Sequence, residues 1–463
     1  MAIDEIIENH TFDEIRIGDT ASATRTLTRD DVALFAAISG DVNPTHAGSL
    51  GVLTAHSMWG AALVSAVLGT KLPGPGTVYA GQSLHFHRQI VAGDTLTTTV
   101  TVRRKLTSPG VVVLDCECHD ETGAKVLSGR AEVKAPTQKF SGRLADIPEV
   151  RLRRHEKYAT LIARCQGLPP VATAVAYPCD GSSLLAVADA AKAGIIRPWL
   201  VGPISAIRAA AAGANVDLDG FEIVEAPNSR AASEKAVELV RTGKAELLMK
   251  GSLHTDELMG AVVRKETGLR TSRRISHCFI MDVPSYAKPL VVTDAAINIA
   301  PDLADKVDIL QNAIDLAHAL GLDQPRVAIL SAVETVNPKI QSTLDAAALC
   351  KMAERGQITG GIVDGPLALD NAISAAAARI KGIVSSVAGQ ADILLVPGIE
   401  AGNMLAKNLS FLADADGAGI VLGARVPVIL TSRADSVRAR MASCAVAALY
   451  AHAQRKSVPM AAE

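Results

Sequence analysis

The chain has 463 residues, of which 46 are basic and 48 acidic, and its formal net charge is −2. This balance leaves no basic field that would attract a nucleic acid or an anionic membrane surface. Apolar residues make up 49% of the chain and aromatic residues only 3%. The cores are therefore expected to consist of Ala, Val, Leu and Ile, and the length predicts two or three domains.

The N-terminal stretch and the cysteines indicate where the protein resides. MAIDEIIENH carries acids where a signal peptide has a basic region, and no uncharged apolar run reaches the ~18 residues that span a bilayer. The seven cysteines are an odd number without framework spacing, which indicates reduced thiols. The sequence predicts a cytoplasmic protein with no membrane partner.

Residues 1–137 begin with two predicted helices. TRDDVALFAAI opens with Thr28 as the predicted N-cap, and HSMWGAALVSAVLGTKL is apolar on most faces and is expected to be buried. Four β-rich runs follow, each bounded by Gly, Pro or Asp. In GVVVLDCECHD, Cys116 and Cys118 share one strand face, and no second ligand pair follows at zinc-site spacing. Small core residues are favoured there over metal ligands, and a sheet wrapped around one helix is expected.

The loop ISGDVNPTH, residues 38–46, places Asp41 and His46 five residues apart around an Asn-Pro turn. A carboxylate and an imidazole beside a helix N-terminus can activate water, protonate a carbon and hold an enolate oxygen, as hydration of an enoyl thioester requires. Spacing alone favours turn chemistry instead, with Asp41 as a turn former and His46 exposed.

Three segments in order, FAAISGDVNPTH, AHSMWGAALVSAVLG and LPGPGTVYAGQSLHFHRQIVAGDTLTTTVTV, resemble the MaoC-like, (R)-specific enoyl-CoA hydratases of the hotdog fold. The resemblance implies that Asp41 and His46 are catalytic, that Asn43 supports them, and that Ser57 occupies the position of the oxyanion-hole glycine. The segment between His46 and His56, AGSLGVLTA, is several residues shorter than in typical members.

Residues 138–157 lose the apolar periodicity and carry many charges, which predicts a linker. From residue 158 to 463, short apolar runs alternate with Ala-rich helical ones, the pattern of parallel sheets flanked by helices. This length predicts two α/β lobes with a ligand cleft between them. The predicted fold class is thus multidomain, an α+β domain followed by a two-lobed α/β domain.

Polar residues follow several predicted strands of this second half. His254, Thr255 and Asp256 follow AELLMKGS, Asn298 follows LVVTDAA, and Asn403 follows ILLVPG. Because ligands of doubly wound sheets bind at the carboxyl ends of strands, these residues are expected to gather at one cleft. Capping of the next helix is the alternative for each.

In VPVILTSRADS, an apolar strand leads into Ser432 and Arg433 at the start of a helix. A hydroxyl, a guanidinium and free backbone N–H groups make an anion site, although an N-cap and a solvated charge explain the same residues. No dinucleotide or Walker sequence is present.

The second half, with KGSLHTDELMGAV, GLRTSRRISHCFIMDVP and the stretch from DILLVPG to SRADS, resembles the phosphate acetyltransferase and butyryltransferase family. The resemblance implies reversible acyl transfer between CoA and phosphate, with Ser432 and Arg433 in the active site. From their places at the strand ends, Thr255, Asn298 and Asn403 are expected to bind substrate. Where acetyltransferases carry a catalytic aspartate this chain has Ala439, with Asp435 as the nearest carboxylate. A second phosphate-binding arginine has several candidates, namely Arg264, Arg270, Arg273 and Arg274.

The sequence thus predicts a bifunctional enzyme, an enoyl-CoA hydratase fused to a phosphate acyltransferase. It is expected to use CoA thioesters and phosphate as substrates, to need no metal or other cofactor, and to form a homo-oligomer. The alternative is that one half is catalytic and the other serves as an acyl-CoA sensor or an oligomerisation module.

Overall fold

The computed structural model describes residues 6–47, 51–107, 110–143, 156–430 and 436–457. The chain divides into two compact units, Met1–Arg153 and Arg154–Glu463. A short strand, Ser141–Arg143, and the start of a helix at Glu156 lie within the range predicted as a linker.

The first unit combines one five-stranded sheet with two helices. Helix α1 begins after Thr28, whose side chain accepts from the backbone N–H of Asp31, so the predicted N-cap is confirmed. The elements in chain order are β1 (Ile6–Glu8), β2 (Thr20–Thr26), α1 (Arg29–Ser39), a 3-10 turn (Pro44–Ala47), α2 (Ser57–Thr70), β3 (Val78–Phe86), β4 (Thr95–Leu106), β5 (Val111–Asp120), β6 (Lys125–Lys134) and β7 (Ser141–Arg143).

The sheet of the first unit is antiparallel, with the order β2-β4-β5-β6-β3, and β1 pairs separately with β7. Helix α2 packs Trp59, Val64 and Leu68 into one core with the apolar faces of these strands. This is the hotdog fold that the sequence predicted. Cys116 and Cys118 both point into that core, as expected, and burial raises the pKa of the Cys116 thiol to about 11.

The expectation that α2 is buried on most faces is wrong for the single chain. Met58 is 55% exposed, and a face of small residues, Ala62, Ser65, Ala66 and Gly69, is also exposed. The sheet covers one side of the helix only, so apolar composition predicted more burial than one five-stranded sheet provides.

The second unit is built from helices and strands that alternate along the chain. Its elements are α3 (Glu156–Arg164), β8 (Val171–Ala176), α4 (Gly181–Lys192), β9 (Ile196–Gly202), α5 (Ile204–Ala214), β10 (Glu222–Glu225), α6 (Ser229–Arg241), β11 (Leu247–Lys250), α7 (Thr255–Val262), β12 (Ser276–Asp282), β13 (Leu290–Thr293), α8 (Leu303–Ala319), β14 (Arg326–Leu330), α9 (Gln341–Glu354), β15 (Ile362–Leu367), α10 (Leu369–Ile373), α11 (Ala375–Ile380), β16 (Ile393–Leu395), α12 (Ile399–Leu412), β17 (Asp416–Leu422), β18 (Val428–Ile429) and α13 (Val437–Ser457).

All strands of the second unit join one sheet, with the order β10-β9-β8-β11-β18-β17-β12-β13-β16-β14-β15. The first five are mutually parallel, and so are the last four. Three consecutive antiparallel pairings, β18–β17, β17–β12 and β12–β13, separate the two groups. The two parallel groups therefore run in opposite directions.

Core packing divides the second unit into two lobes. Successive strand residues face opposite sides of a sheet. On one face, Leu247 and Met249 belong to a hydrophobic cluster that includes residues of both parallel strand groups. On the other face, Leu248 packs with α6 and α7, whereas Val292 and Leu394 pack with α10 and α12. The two lobes thus share one sheet and one core face. Among the helices of the described residues, none has the length and apolar character needed to cross a bilayer.

Candidate active sites

The loop after α1 brings Asp41 and His46 together. Gly40 ends the helix with φ at 73°, a left-handed conformation that turns the chain toward Asp41. The Asp41 Oδ1 accepts from the N–H of Asn43, whose own Oδ1 accepts from the N–H and the hydroxyl of Thr45. The Asn43 side chain therefore stabilises the turn. Its role in catalysis stays a prediction.

The imidazole of His46 has a defined tautomer. Nδ1 lies 2.8 Å from the carbonyl oxygen of Thr54, and because a carbonyl can only accept, Nδ1 carries the hydrogen. The unprotonated Nε2 then lies 3.9 Å from the Asp41 Oδ2. This distance is too long for a hydrogen bond, but it suits one water molecule bonded to both atoms. The pair is thus poised to hold a water oxygen.

His56 is a third member of the cluster, and the sequence analysis placed it only at the start of α2. Its ring is 4% exposed and stacks on His46 with the centroids 3.7 Å apart. Nε2 donates to the backbone carbonyl of Asp41 at 2.8 Å, whereas Nδ1 has no partner among the described residues. A histidine at an N-cap, where Ser, Thr, Asp or Asn is usual, was the available sequence signal.

Asp41, His46 and His56 offer one carboxylate oxygen and two imidazole nitrogens within 4.8 Å of one another. Such a donor set can bind a transition metal. Here, however, Nε2 of His56 carries the hydrogen that it donates to Asp41, and metal binding would shift that hydrogen to Nδ1, where it would be buried without an acceptor. The arrangement suits proton transfer better than metal binding.

Ser57 is the first residue of α2, directly after His56. Its backbone N–H belongs to the first turn of the helix, where no intrahelical acceptor exists, and its side chain is exposed. Free N–H groups and the positive end of a helix are features that stabilise an oxyanion. The geometry is compatible with the predicted oxyanion role, which stays a prediction.

In the second unit, the structure separates the residues expected at one cleft. Thr255 follows β11, which belongs to the first parallel group, whereas Asn298 and Asn403 follow β13 and β16 of the second. Because the two groups run in opposite directions, these strand ends lie at opposite edges of the sheet. Strand direction is set by pairings that the local sequence does not show, and a substrate cleft shared by these residues stays a prediction.

Asn298 and Asn403 do come together around the turn after β13. Asn403 donates to the carbonyl of Ala295 at 3.3 Å. Asn298 is 4% exposed, and its amide donates to Asp294 Oδ2 while its Oδ1 accepts from Arg274 Nε at 2.7 Å. These bonds leave Asn298 little capacity to contact a substrate directly. It instead holds the guanidinium of Arg274.

An arginine-rich cavity of about 520 Å³ lies beside this turn. Of the four arginines considered from sequence, Arg264 pairs with Glu234, Arg273 with Asp315 and Arg274 with Asp305. Arg270 lines the cavity, and no carboxylate within the described ranges pairs with it. The residues that line the cavity are Val263, Arg270, Thr271, Ser272, Arg273, Arg274, Ile275, Ile297, Asn298, Ala304, Asp305 and Asp308. Arg270 is therefore the best placed of the four to bind an anion.

Ser432, Arg433 and the alternative carboxylate Asp435 lie outside the described residues. The strand that leads to them, β18, ends at Ile429, and α13 begins at Val437. Ala439 lies in the first turn of α13, is buried, and donates its backbone N–H to the Ser436 hydroxyl at 3.1 Å. The position where acetyltransferases carry a carboxylate is thus a buried methyl group.

His277 is a buried histidine that the sequence analysis did not consider. It lies on β12, is 2% exposed, and packs edge-on against Phe279. Burial lowers the pKa of its imidazole to about 4, although the nearby carboxylate of Asp294 acts in the opposite direction. The neutral ring is therefore the folded form at neutral pH.

The stability of the second unit should fall as the pH drops from 6.5 to 4, in part because of His277. Over this window the unfolded chain binds a proton at an ordinary histidine, and the folded chain does not. The effect on the free energy of unfolding is up to about 3 kcal/mol. Melting temperatures across this range for the wild type and His277→Gln measure it. Equal pH slopes in the two proteins would contradict the assignment.

Comparisons with known proteins agree with these two folds. Residues 228–448 match the family described as Phosphate acetyl/butaryl transferase, and residues 16–109 match the MaoC like domain. The fold and these matches therefore define an α/β transferase unit that follows a hotdog unit.

The chain matches individual relatives over almost the whole of their own length. The chain is 64% identical over 306 residues to the phosphate acetyltransferase of Rhizobium meliloti, a match that covers 66% of this chain and 96% of that protein. It is 48% identical to the phosphate butyryltransferase of Clostridium acetobutylicum, over 60% of this chain and 92% of that one. A crystal structure of a branched-chain phosphotransacylase from Enterococcus faecalis V583 matches with a TM-score of 0.54 and 31% identity, over 61% of this chain and 99% of that one. The chain belongs to the phosphate acetyl/butyryl transferase family and carries a MaoC-like domain at its N-terminus.

Proposed function

We propose that the second unit transfers an acyl group between CoA and inorganic phosphate. The observation that carries this proposal is the 64% identity to a phosphate acetyltransferase over 96% of that protein's length. In this reaction a phosphate oxygen attacks the thioester carbonyl, the carbon–sulfur bond breaks, and the CoA thiolate takes up a proton. Ser432 and Arg433 are assigned to this step by resemblance.

Phosphate-dependent release of the CoA thiol tests this activity. Full-length protein is mixed with acetyl-CoA or butyryl-CoA, with and without phosphate, in the presence of a thiol reagent. Release that requires phosphate and is lost in Arg433→Ala supports the proposal. Binding of acyl-CoA without thiol release would favour a sensor instead, for which the missing carboxylate at Ala439 is the supporting observation.

Arg270→Ala should raise the KM for phosphate or acyl-CoA about tenfold or more. The reason is that Arg270 lines the cavity without a carboxylate partner in the described part of the chain, and a charge-assisted hydrogen bond contributes about 1.5–3 kcal/mol. Initial rates at varied phosphate and acyl-CoA measure the effect. Arg230→Ala is the matched control, since Arg230 is exposed on α6 beside Glu234. If both variants behave alike, Arg270 does not bind substrate.

We further propose that the first unit hydrates trans-2-enoyl-CoA to (R)-3-hydroxyacyl-CoA. The observation that carries this proposal is the placement of the Asp41 carboxylate 3.9 Å from the unprotonated Nε2 of His46, at the N-terminus of α2. The match of residues 16–109 to the MaoC like domain supports the same assignment.

In the proposed mechanism one water molecule lies between Asp41 and His46. Its oxygen bonds to the β-carbon of the enoyl group while the pair removes its proton, and the displaced π electrons move to the thioester oxygen. The backbone N–H of Ser57 stabilises the resulting enolate. The pair then returns the proton to the α-carbon, so that water is added across the double bond without any other reactant.

Loss of enoyl absorbance with crotonyl-CoA in phosphate-free buffer tests hydration, because without phosphate the second unit cannot turn over. A protein that consumes the enoyl group is a hydratase. A protein that consumes neither short nor medium chains carries the first unit for another purpose, and the function is then phosphate acyl transfer alone.

The proposed partners of the chain are its small-molecule substrates and other copies of itself. Both proposed reactions act on CoA thioesters, hydration with water and acyl transfer with phosphate, and neither is proposed to use a metal or redox cofactor. A cytoplasmic location without nucleic-acid or membrane partners suits such substrates. Self-association is supported by the exposed face of α2 and by the edge strand β3, on which Val78, Tyr79 and Phe86 are exposed. The molar mass of the full chain in solution tests it.

A further inference from the structure

The short segment from Thr54 to His56 supports both proposed catalytic side chains of the first unit. It is held to the body of the unit by the hydrogen bond from Ala55 N–H to the Ile90 carbonyl at 2.7 Å and by a bridge between Thr54 and Val91. The Thr54 carbonyl binds His46, and the His56 ring binds Asp41. One rigid segment thus contacts both members of the pair.

We propose that His56 is a positioning residue for hydration, which holds Asp41 in place chiefly through its Nε2–H, with a smaller contribution from the stacking of its ring on His46. The inference rests on the proposed hydratase function of the first unit. His56 would touch neither water nor substrate, because its ring is 96% buried and the one polar bond of that ring to the described residues goes to a backbone carbonyl.

The need for such a support follows from the other bonds of Asp41. Its side chain is 54% exposed, and its bonds to Ser39 and Asn43 lie within the same loop. Within the described residues, the bond from His56 is the one hydrogen bond that ties Asp41 to a segment outside that loop. Without it, Asp41 keeps its local turn but loses its tie to the start of α2, whereas Thr45 and His46 stay bonded to Thr54.

The position of the ring explains how one residue acts on both partners. Nε2 of His56 lies 3.9 Å from the Asp41 Oδ2, the same separation as Nε2 of His46. Phe35 packs on the ring at a centroid distance of 5.1 Å. The imidazole is therefore fixed between an aromatic ring and His46, and its N–H is directed at the Asp41 main chain.

Two substitutions separate the hydrogen bond from the ring. His56→Phe keeps an aromatic ring and removes the donor, whereas His56→Gln removes the ring and keeps an N–H at the position of Nε2. Displacement of a reacting group by about 1 Å can cost ~100-fold in rate. We therefore expect His56→Phe to lower kcat for crotonyl-CoA hydration at least about tenfold with KM within about twofold, and His56→Gln to stay within about threefold of the wild type.

A double-mutant comparison tests whether the effect passes through Asp41. If His56 acts by positioning Asp41, adding His56→Phe to Asp41→Asn should cause little further loss, because the group being positioned is already inactive. Circular dichroism and thermal unfolding establish that each variant is folded.

The outcomes distinguish this inference from the function on which it rests. A wild-type protein that does not hydrate crotonyl-CoA contradicts both the hydratase function and the role of His56. An active wild type with an equally active His56→Phe overturns only the role of His56. A folded His56→Gln that loses as much as His56→Phe also overturns it, since the N–H would then not be the cause, and so do fully additive losses in the double variant.

Discussion

Asp41→Asn is expected to lower the rate of enoyl-CoA hydration at least ~100-fold, the usual contribution of a general base. Asparagine keeps the Oδ1 that accepts from the Asn43 N–H at 3.2 Å, so the turn survives while the proton acceptor is lost. Loss of crotonyl-CoA absorbance in phosphate-free buffer measures the rate, and phosphate-dependent thiol release should stay unchanged.

Asp13→Asn is the matched control for this experiment, because Asp13 is an exposed carboxylate of the same unit, remote in sequence from the loop. It should hydrate at the wild-type rate. Equal activity of the two variants would mean that Asp41 is not a catalytic group, and the support for a hydratase from the geometry of the loop would disappear.

Lys306→Met is expected to destabilise the second unit by roughly 3–5 kcal/mol. Lys306 and Asp345 form an ion pair at 2.6 Å with side chains 6% and 8% exposed. Removal of the cation leaves a buried carboxylate whose remaining described donor is the Gln341 amide. The melting temperature of the second unit should fall on the order of 10 °C.

The exposed pair of Lys351 and Glu354 provides the control for this prediction. Its side chains are 61% and 63% exposed, and such pairs contribute about 0–1 kcal/mol. Lys351→Met should therefore melt close to the wild type. The double variant Lys306→Met/Asp345→Leu should recover much of the loss, because it removes the unpaired charge as well. A Lys306→Met protein that melts at the same temperature as Lys351→Met would contradict the predicted loss of stability.

Local patterns predicted most of the secondary structure. Thr28 caps α1 as predicted, the four β-rich runs of the first unit are strands, and the alternation beyond residue 158 forms the α/β unit. These predictions succeed because capping and side-chain alternation depend on residues close in sequence. The buried face of α2 was overestimated, because burial depends on how much of the sheet reaches the helix.

The residues of the candidate sites also divide into those that local sequence predicted and those that required the tertiary structure. The Asn43 turn and the proximity of Asp41 to His46 follow from the six consecutive residues 41–46, which include the rigid Pro44. The contribution of His56 does not, since it requires α2 to begin beside that loop. Asn298 was predicted to contact substrate, but its amide is committed to Asp294 and Arg274. The bond with Arg274 spans 24 positions and the bond with Asp294 spans 4, and no local pattern reveals the longer one.

The sequence by itself determined that the chain combines a MaoC-like hotdog unit with a phosphate acetyl/butyryl transferase unit, and it identified the Asp41–His46 pair. Only the tertiary structure decided the tautomer of His46, the support from His56, the place of Arg270 in the cavity and the opposite directions of the two strand groups. The physical reason is the separation in sequence between the residues that interact. Motifs and periodicity record contacts within a few residues, whereas strand direction, burial and proton placement depend on hydrogen bonds between segments far apart in the chain.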